Sequence, residues 1–177
     1  MRIEKCAGVY EPEDDSYLLL GIEEIKGRIL EIGCGTGIIG LSYAKSGSVV
    51  TLVDISDKAT RCARNNAIQS GLSVNVVRTN MFDGIRGKFD WCVFNPPYLP
   101  SEAPVDQTWT GGTKGNELTL EFLKKFSEYS DHAFYIESSL SHTEKGQFEG
   151  LSFRTVNELD YDFEVLSLVK VTVDARY

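Results

Sequence analysis

A single α/β domain with a mostly parallel sheet is the fold this sequence predicts, spanning residues 1–177. Three observations predict it. Short β-branched runs alternate with stretches of helical periodicity, which is the pattern of βαβ units. The first four of those runs lack strict polar alternation, as expected when helices cover both faces of a sheet. The length, 177 residues, suits one domain with an ordinary core.

The elements follow in order. "EDDSYLLLGIEE", 13–24, predicts a helix with acidic residues at its start. "GRILEIGC", 27–34, is an apolar first strand that runs into glycines. "TGIIGLSYAKSG", 36–47, has helical spacing and closes on glycine. "VVTLVDI", 49–55, is the second strand. "SDKATRCARNNAIQSG", 56–71, opens on Ser56 as an N-cap candidate and is the second main helix. "VNVVRTN", 74–80, and "FDWCVFNP", 89–96, are the third and fourth strands. "NELTLEFLKKFSEYS", 116–130, is a helix, and "HAFYIESS", 132–139, the fifth strand. The remainder, "FRTVNELDYD" and "FEVLSLVKVTV", reads as an antiparallel hairpin turning near 160–163.

Residues 81–88 are too few for a good helix between strands three and four. They still suffice to cross the sheet. Three strand spacings are roughly 14 Å, and eight extended residues reach about 27 Å. A sheet ordered 3-2-1-4-5, ending in a hairpin, is therefore feasible.

Composition excludes several classes. The longest apolar runs are far too short to span a membrane. The N-terminus "MRIEKCAGVYEPEDD" is polar and acidic, unlike a signal peptide. A net charge of −8 argues against a direct grip on nucleic acid, which needs clustered Lys and Arg. Cys6, Cys34, Cys62 and Cys92 form no C-x-x-C pair and have no histidine nearby, so no metal site is expected. Cys34 and Cys92 lie in strand-like runs where buried free thiols are ordinary. Together with the N-terminus, this suggests a reducing compartment, the cytosol or nucleus.

In a parallel sheet the strand tips share one edge, and ligands bind there. Gly33, Gly35 and Gly37 form G-x-G-x-G after the first strand, and a looser count ends on Gly40. Glycines let the backbone approach a ligand closely. By itself this is a weak signal that a plain strand-to-helix turn also explains. Asp54 ends the second strand, where a carboxylate can accept both ribose hydroxyls of an adenosine-type ligand. Glu31, just before the glycines, would pair with an ammonium group and repel a pyrophosphate. The two acids point to an amino-acid-bearing nucleoside rather than a dinucleotide. Asn80, at the tip of the third strand, offers an amide to an adenine edge. Asp15 and Ser16 could close over the ligand from the first helix.

"FNPPYLP", 94–100, ends the fourth strand at the same edge. Two prolines fix the backbone around Asn95 and carry no N–H. The loop thus offers carbonyl acceptors and the Asn95 side-chain oxygen to a planar amino group. Such a nitrogen is a poor nucleophile. Acceptors gripping its N–H bonds gain strength as positive charge develops in the transition state. Tyr98 can stack on the flat group. A glutamine amide and an exocyclic base amine both fit.

At these residues the sequence resembles the class I S-adenosyl-L-methionine-dependent methyltransferases. More narrowly it resembles the HemK-related group that N5-methylates the glutamine of a Gly-Gly-Gln motif in class 1 release factors. The matching runs are "VYEPEDDSYLLL", "LEIGCGTGIIG", "LVDIS", "TNMFD", "VFNPPYLP" and "WTGGTKGNELTLEF". They look like the short eukaryotic and archaeal branch. The resemblance implies a Rossmann-like sheet of order 3-2-1-4-5-7-6 with the last strand antiparallel and helices on both faces. It implies S-adenosyl-L-methionine binding by Ser16, Glu31, Gly33, Gly35, Gly37, Asp54, Asn80, Met81 and Asn95. Catalysis would fall to Asn95, Pro96 and Tyr98, and substrate binding to Asn95, Pro97 and Tyr98. The family usually has Asp where Asn80 stands. The resemblance also implies a heterodimer with a small zinc-binding activator subunit along the 74–79 edge, an apolar strand that makes a poor free edge. Two other functions remain open: an adenine-N6 or other nucleic-acid amino-methyltransferase, and a non-catalytic cofactor-binding subunit. The stretch 101–115, "SEAPVDQTWTGGTKG", has the length and composition of a lid or binding loop.

Overall fold

Each apolar run becomes a strand where its two faces can be covered. The computed structural model describes residues 1–100, 112–141 and 143–175. Its elements are α1 (Asp14–Leu18), β1 (Arg28–Ile32), α2 (Ile38–Lys45), β2 (Val49–Asp54), α3 (Asp57–Gln69), β3 (Asn75–Arg78), β4 (Trp91–Phe94), α4 (Glu117–Lys125), β5 (His132–Ser138), β6 (Leu151–Tyr161) and β7 (Glu164–Val173). One sheet of order β3-β2-β1-β4-β5-β7-β6 contains all seven strands. The first five are parallel. β7 runs antiparallel to both β5 and β6.

The period-2 alternation of strands divides the core in two. Ile29, Val50, Leu52, Val93 and Phe134 pack on one face with Leu41 of α2 and Ala63 of α3. Leu30, Ile32, Val53, Cys92 and Tyr135 pack on the other with Phe122 and Leu123 of α4. Glu31 falls on the first face, beneath α2, which matters below.

The crossing between β3 and β4 contains no helix. Met81 and Phe82 fill the place of one and are both buried. Phe82 stacks on Tyr129 and Phe122, with ring centroids 4.8 and 5.8 Å away. Burying a side chain of this size stabilises the fold by about 1.5–3 kcal/mol.

α1 and α4 end well before their sequence patterns do. α1 stops at Leu18 because Leu19 turns fully into the core. Its carbonyl accepts from the Tyr43 hydroxyl, and Gly21 then bends the chain at φ 69°. α4 tightens at Phe126–Glu128 into a 3₁₀ turn that places Phe126 in the core. By contrast, Ser56 caps α3 as expected, its hydroxyl accepting from the Ala59 N–H at 3.3 Å.

Cys6 and Cys62 are joined by a disulfide, while Cys34 and Cys92 are free and buried. The bond ties the N-terminal segment to α3, beside Val9 and Ala59. Their separation of 56 residues left no local spacing from which to read it. The free-thiol argument for a reducing compartment therefore does not extend to this pair. Among the described residues, no group of His, Cys, Asp and Glu is placed to hold a metal, and no helix is long and apolar enough to cross a membrane.

Candidate active site

The C-terminal tips of β1, β2 and β4, the start of the β3–β4 crossing and the segment from Gly8 to Ser16 surround a cavity of about 910 Å³. That is at the upper end for a small-molecule site and has room for a nucleoside beside an acceptor group. Ser16, Gly33, Gly35, Asp54, Asn80, Met81, Asn95, Pro96, Pro97 and Tyr98 all line it. Glu31 and Gly37 do not.

Gly37 instead sits at the N-cap of α2 with φ 82°, a conformation that strains any residue with a Cβ. Having no side chain, it cannot cap the helix. Glu31 does so from the strand below, accepting from the Gly40 N–H at 2.7 Å. The fit is close: a Cβ on Gly40 would lie 2.4 Å from that carboxylate. Gly40 is thus a packing glycine, not part of the ligand loop. Burial pushes the Glu31 carboxyl up to about 8; the Gly40 N–H works against this, and Asp54 adds to it.

Asp54 holds the glycine turn itself. One oxygen accepts from the Gly35 N–H at 3.0 Å and the other from the Ser56 N–H at 2.8 Å. Each carboxylate oxygen has two lone pairs, so acceptor capacity remains on the cavity side. Burial raises its carboxyl above the ordinary range, against the pull of those N–H groups. Met81 has φ 46°, a left-handed conformation that is uncommon away from glycine. Such strain clusters at ligand sites.

The acceptor loop is wired to α1. The Asn95 side-chain nitrogen donates to the Ser16 hydroxyl at 3.3 Å, and that hydroxyl donates to the Asp15 carboxylate at 3.2 Å. A hydroxyl has one proton. Having given it to Asp15, Ser16 can only accept from Asn95. This fixes which way the Asn95 amide points. Its oxygen is buried and has no hydrogen-bond partner among the described residues. A buried acceptor left unpaired costs about 1–3 kcal/mol, so an orphan at a cavity wall reads as a place kept for a ligand donor.

Asp15 is the hub of this network. Its second oxygen accepts from Tyr10 at 2.8 Å and Tyr98 at 3.1 Å. Tyr98 is therefore more than the flat wall expected of it; its hydroxyl is pinned to α1. Burial, then the Asp15 charge, raises both phenols well above their ordinary range, so they stay donors. The quoted run "VYEPEDDSY" contained Tyr10 and Asp15, but nothing in their spacing said that both tyrosines would converge on one carboxylate.

The mouth is acidic. Glu13, Asp15, Asp54, Glu117 and Glu121 line the cavity, and among the described residues no Lys or Arg does. Glu117 accepts from the Lys114 N–H and the Thr113 hydroxyl at 3.0 and 2.9 Å, closing the turn that precedes α4. Most of the expected lid, residues 101–111, lies outside the described residues.

Residues 13–110 match the methyltransferase small domain family. A Methanocaldococcus jannaschii protein, provisionally named as a protein N5-glutamine methyltransferase, is 35% identical over 68% of this chain and 66% of its own. The eRF1 methyltransferase catalytic subunit of Schizosaccharomyces pombe is 30% identical over 77% of this chain and 74% of its own. A ribosomal RNA small subunit methyltransferase C of Buchnera aphidicola is 38% identical, but over 54% of this chain and 30% of its own. The chain thus spans about two thirds of the first relative, three quarters of the second and under a third of the last. Among solved structures, the ribosomal protein L11 methylase of Lactobacillus delbrueckii superposes with a TM-score of 0.70 at 17% identity, over 94% of this chain and 82% of its own. That last likeness is one of fold.

Proposed function

Because the chain belongs to the methyltransferase small domain family, we propose that it N5-methylates the glutamine of a Gly-Gly-Gln motif in a class 1 release factor, with S-adenosyl-L-methionine as donor. One observation carries the reading: the buried, unpartnered Asn95 oxygen at the cavity wall. When bound, the cofactor supplies an electrophilic methyl group on a positively charged sulfur.

The chain's own residues do the rest. Gly33 and Gly35 allow close backbone approach, and Asp54 offers its remaining lone pairs to ribose hydroxyls. Asn80 and Met81, which line the cavity at the start of the β3–β4 crossing, would face the base. The acidic lining favours the cationic donor and disfavours phosphate-rich ligands. Glu31 acts from below, through the cap of α2. The Asn95 oxygen and a carbonyl of the diproline hold the two N–H bonds of the acceptor amide, and their hold strengthens as that nitrogen becomes positive. The Tyr98 ring, fixed through Asp15, limits the plane in which the amide can lie.

The fission-yeast relative's name, which specifies eRF1, supports a release factor as substrate. Methylation of a nucleic-acid base is the second reading, favoured by the partial match to a ribosomal RNA methyltransferase. The acidic mouth weighs against it. We also infer a heterodimer with a small zinc-binding activator along the β3 edge, where Val76 and Val77 are part-buried between exposed Asn75 and Arg78. The site of action would be the cytosol or nucleus, where release factors work. The test is mass spectrometry of release factor incubated with the enzyme, co-expressed with such an activator, and the cofactor. A methyl group on the Gly-Gly-Gln glutamine is expected. An unmodified glutamine, with cofactor bound and activator present, would sink the reading.

A further inference from the structure

The sheet rises in steps on one side of the acceptor loop. β4 ends at Phe94, which lies level with Tyr135 of β5. β5 continues three residues further, to Ser138, which pairs with Leu166 of β7. β7 begins two residues beyond that, at Glu164, paired with Tyr161. The β6–β7 turn therefore stands roughly 17 Å past the end of β4, at 3.3–3.4 Å per residue. It is at the same sheet edge as Asn95.

One hydrogen bond and one charge effect tie this wall to the site. The Tyr161 hydroxyl donates to Asp14 at 2.7 Å, one residue from the Asp15 hub. The loop is close enough that the Glu164 charge acts on the Tyr98 phenol. At the tip, Phe163 is 90% exposed, and Tyr161 is 41% exposed. An aromatic ring held almost fully in water on a projecting turn gains nothing for the fold. Around it, residues 155–169 contain Glu158, Asp160, Asp162 and Glu164 and no Lys or Arg.

We propose that the β6–β7 tip is the docking surface for the polypeptide substrate, gripping an apolar residue with Phe163 and basic residues with the surrounding carboxylates. This rests on the protein-methylation reading above. The wall stands at the sheet edge that carries the acceptor loop and is joined to α1 through Tyr161 and Asp14, so the surface continues the site. Its charge decides between occupants. Four carboxylates and no cation repel a phosphate backbone and complement a basic, partly apolar peptide segment.

The experiment is steady-state methylation of intact release factor by the enzyme as purified, with any co-purifying subunit retained. Phe163→Ser and Asp162→Lys are compared with wild type. Both positions are on the exposed turn, so folding is spared. Each variant is expected to raise the KM for release factor tenfold or more, with kcat and cofactor affinity within twofold. Unchanged KM in both variants, with normal wild-type turnover, overturns the docking surface and leaves the methylation reading standing. Absence of wild-type transfer to release factor overturns both. Loss of a wild-type dimer, or of nucleic-acid binding, in Phe163→Ser would assign the tip to that occupant and overturn the proposal.

Discussion

Asn95 donates to the Ser16 hydroxyl, 3.3 Å away and 79 residues earlier in the chain. This contact orients the acceptor amide, since Ser16 is committed as a donor to Asp15. Its energetic share is that of one ordinary hydrogen bond, about 1 kcal/mol. Ser16→Ala should therefore lower kcat about fivefold while leaving the fold intact. Steady-state kinetics beside a thermal melt checks this. Full activity in the variant would show that Asn95 is oriented by something else.

Glu31 predicts a pH dependence of stability. Its carboxyl titrates near 4.5 when unperturbed and is held up to about 8 by burial. Between those values the folded protein keeps a proton that the unfolded chain has released. Its contribution is thus complete below about pH 4.5 and lost as pH rises through about 8, at no more than about 1.4 kcal/mol per pH unit. Glu31→Gln keeps an acceptor for the Gly40 N–H and removes the titration. In urea denaturation, the stability of this variant relative to wild type should climb from pH 5 to pH 8. A flat difference would contradict the assignment.

The disulfide predicts a large effect of reductant. Bridging Cys6 and Cys62 closes a loop of 56 residues. In the chain-entropy account such a loop is worth about 4 kcal/mol. Chemical denaturation with and without a dithiol should show a loss of that order, and Cys62→Ala should reproduce it. Equal stability in both conditions would mean the bond does not form in solution.

The sheet order was legible because each strand announced itself locally, and because residues 81–88, too few for a good helix, could still cross the sheet to β4. Helix ends were less so. α1 broke early because Leu19 is worth more in the core than in a helix, a tertiary choice that local spacing does not reveal. The cavity-lining residues were read largely through tip positions, since a parallel sheet gathers strand ends at one edge. Glu31 does not line the cavity, because strand alternation puts it under α2. Gly33, two residues further along the same run, does line it. The Tyr10–Asp15–Tyr98 convergence and the Cys6–Cys62 bond join segments whose contact follows only from the assembled fold.

The Asn95 oxygen is the centre of the proposed chemistry. The most direct measurement compares wild type and Asn95→Ala for methylation of the release-factor glutamine, read by mass spectrometry, alongside calorimetric titration of the cofactor. Removing a preorganised transition-state partner typically costs about 10²–10³ in rate. The account predicts a loss of that size with cofactor affinity changed only a few-fold. Retained turnover, or a collapse of cofactor affinity, would contradict it.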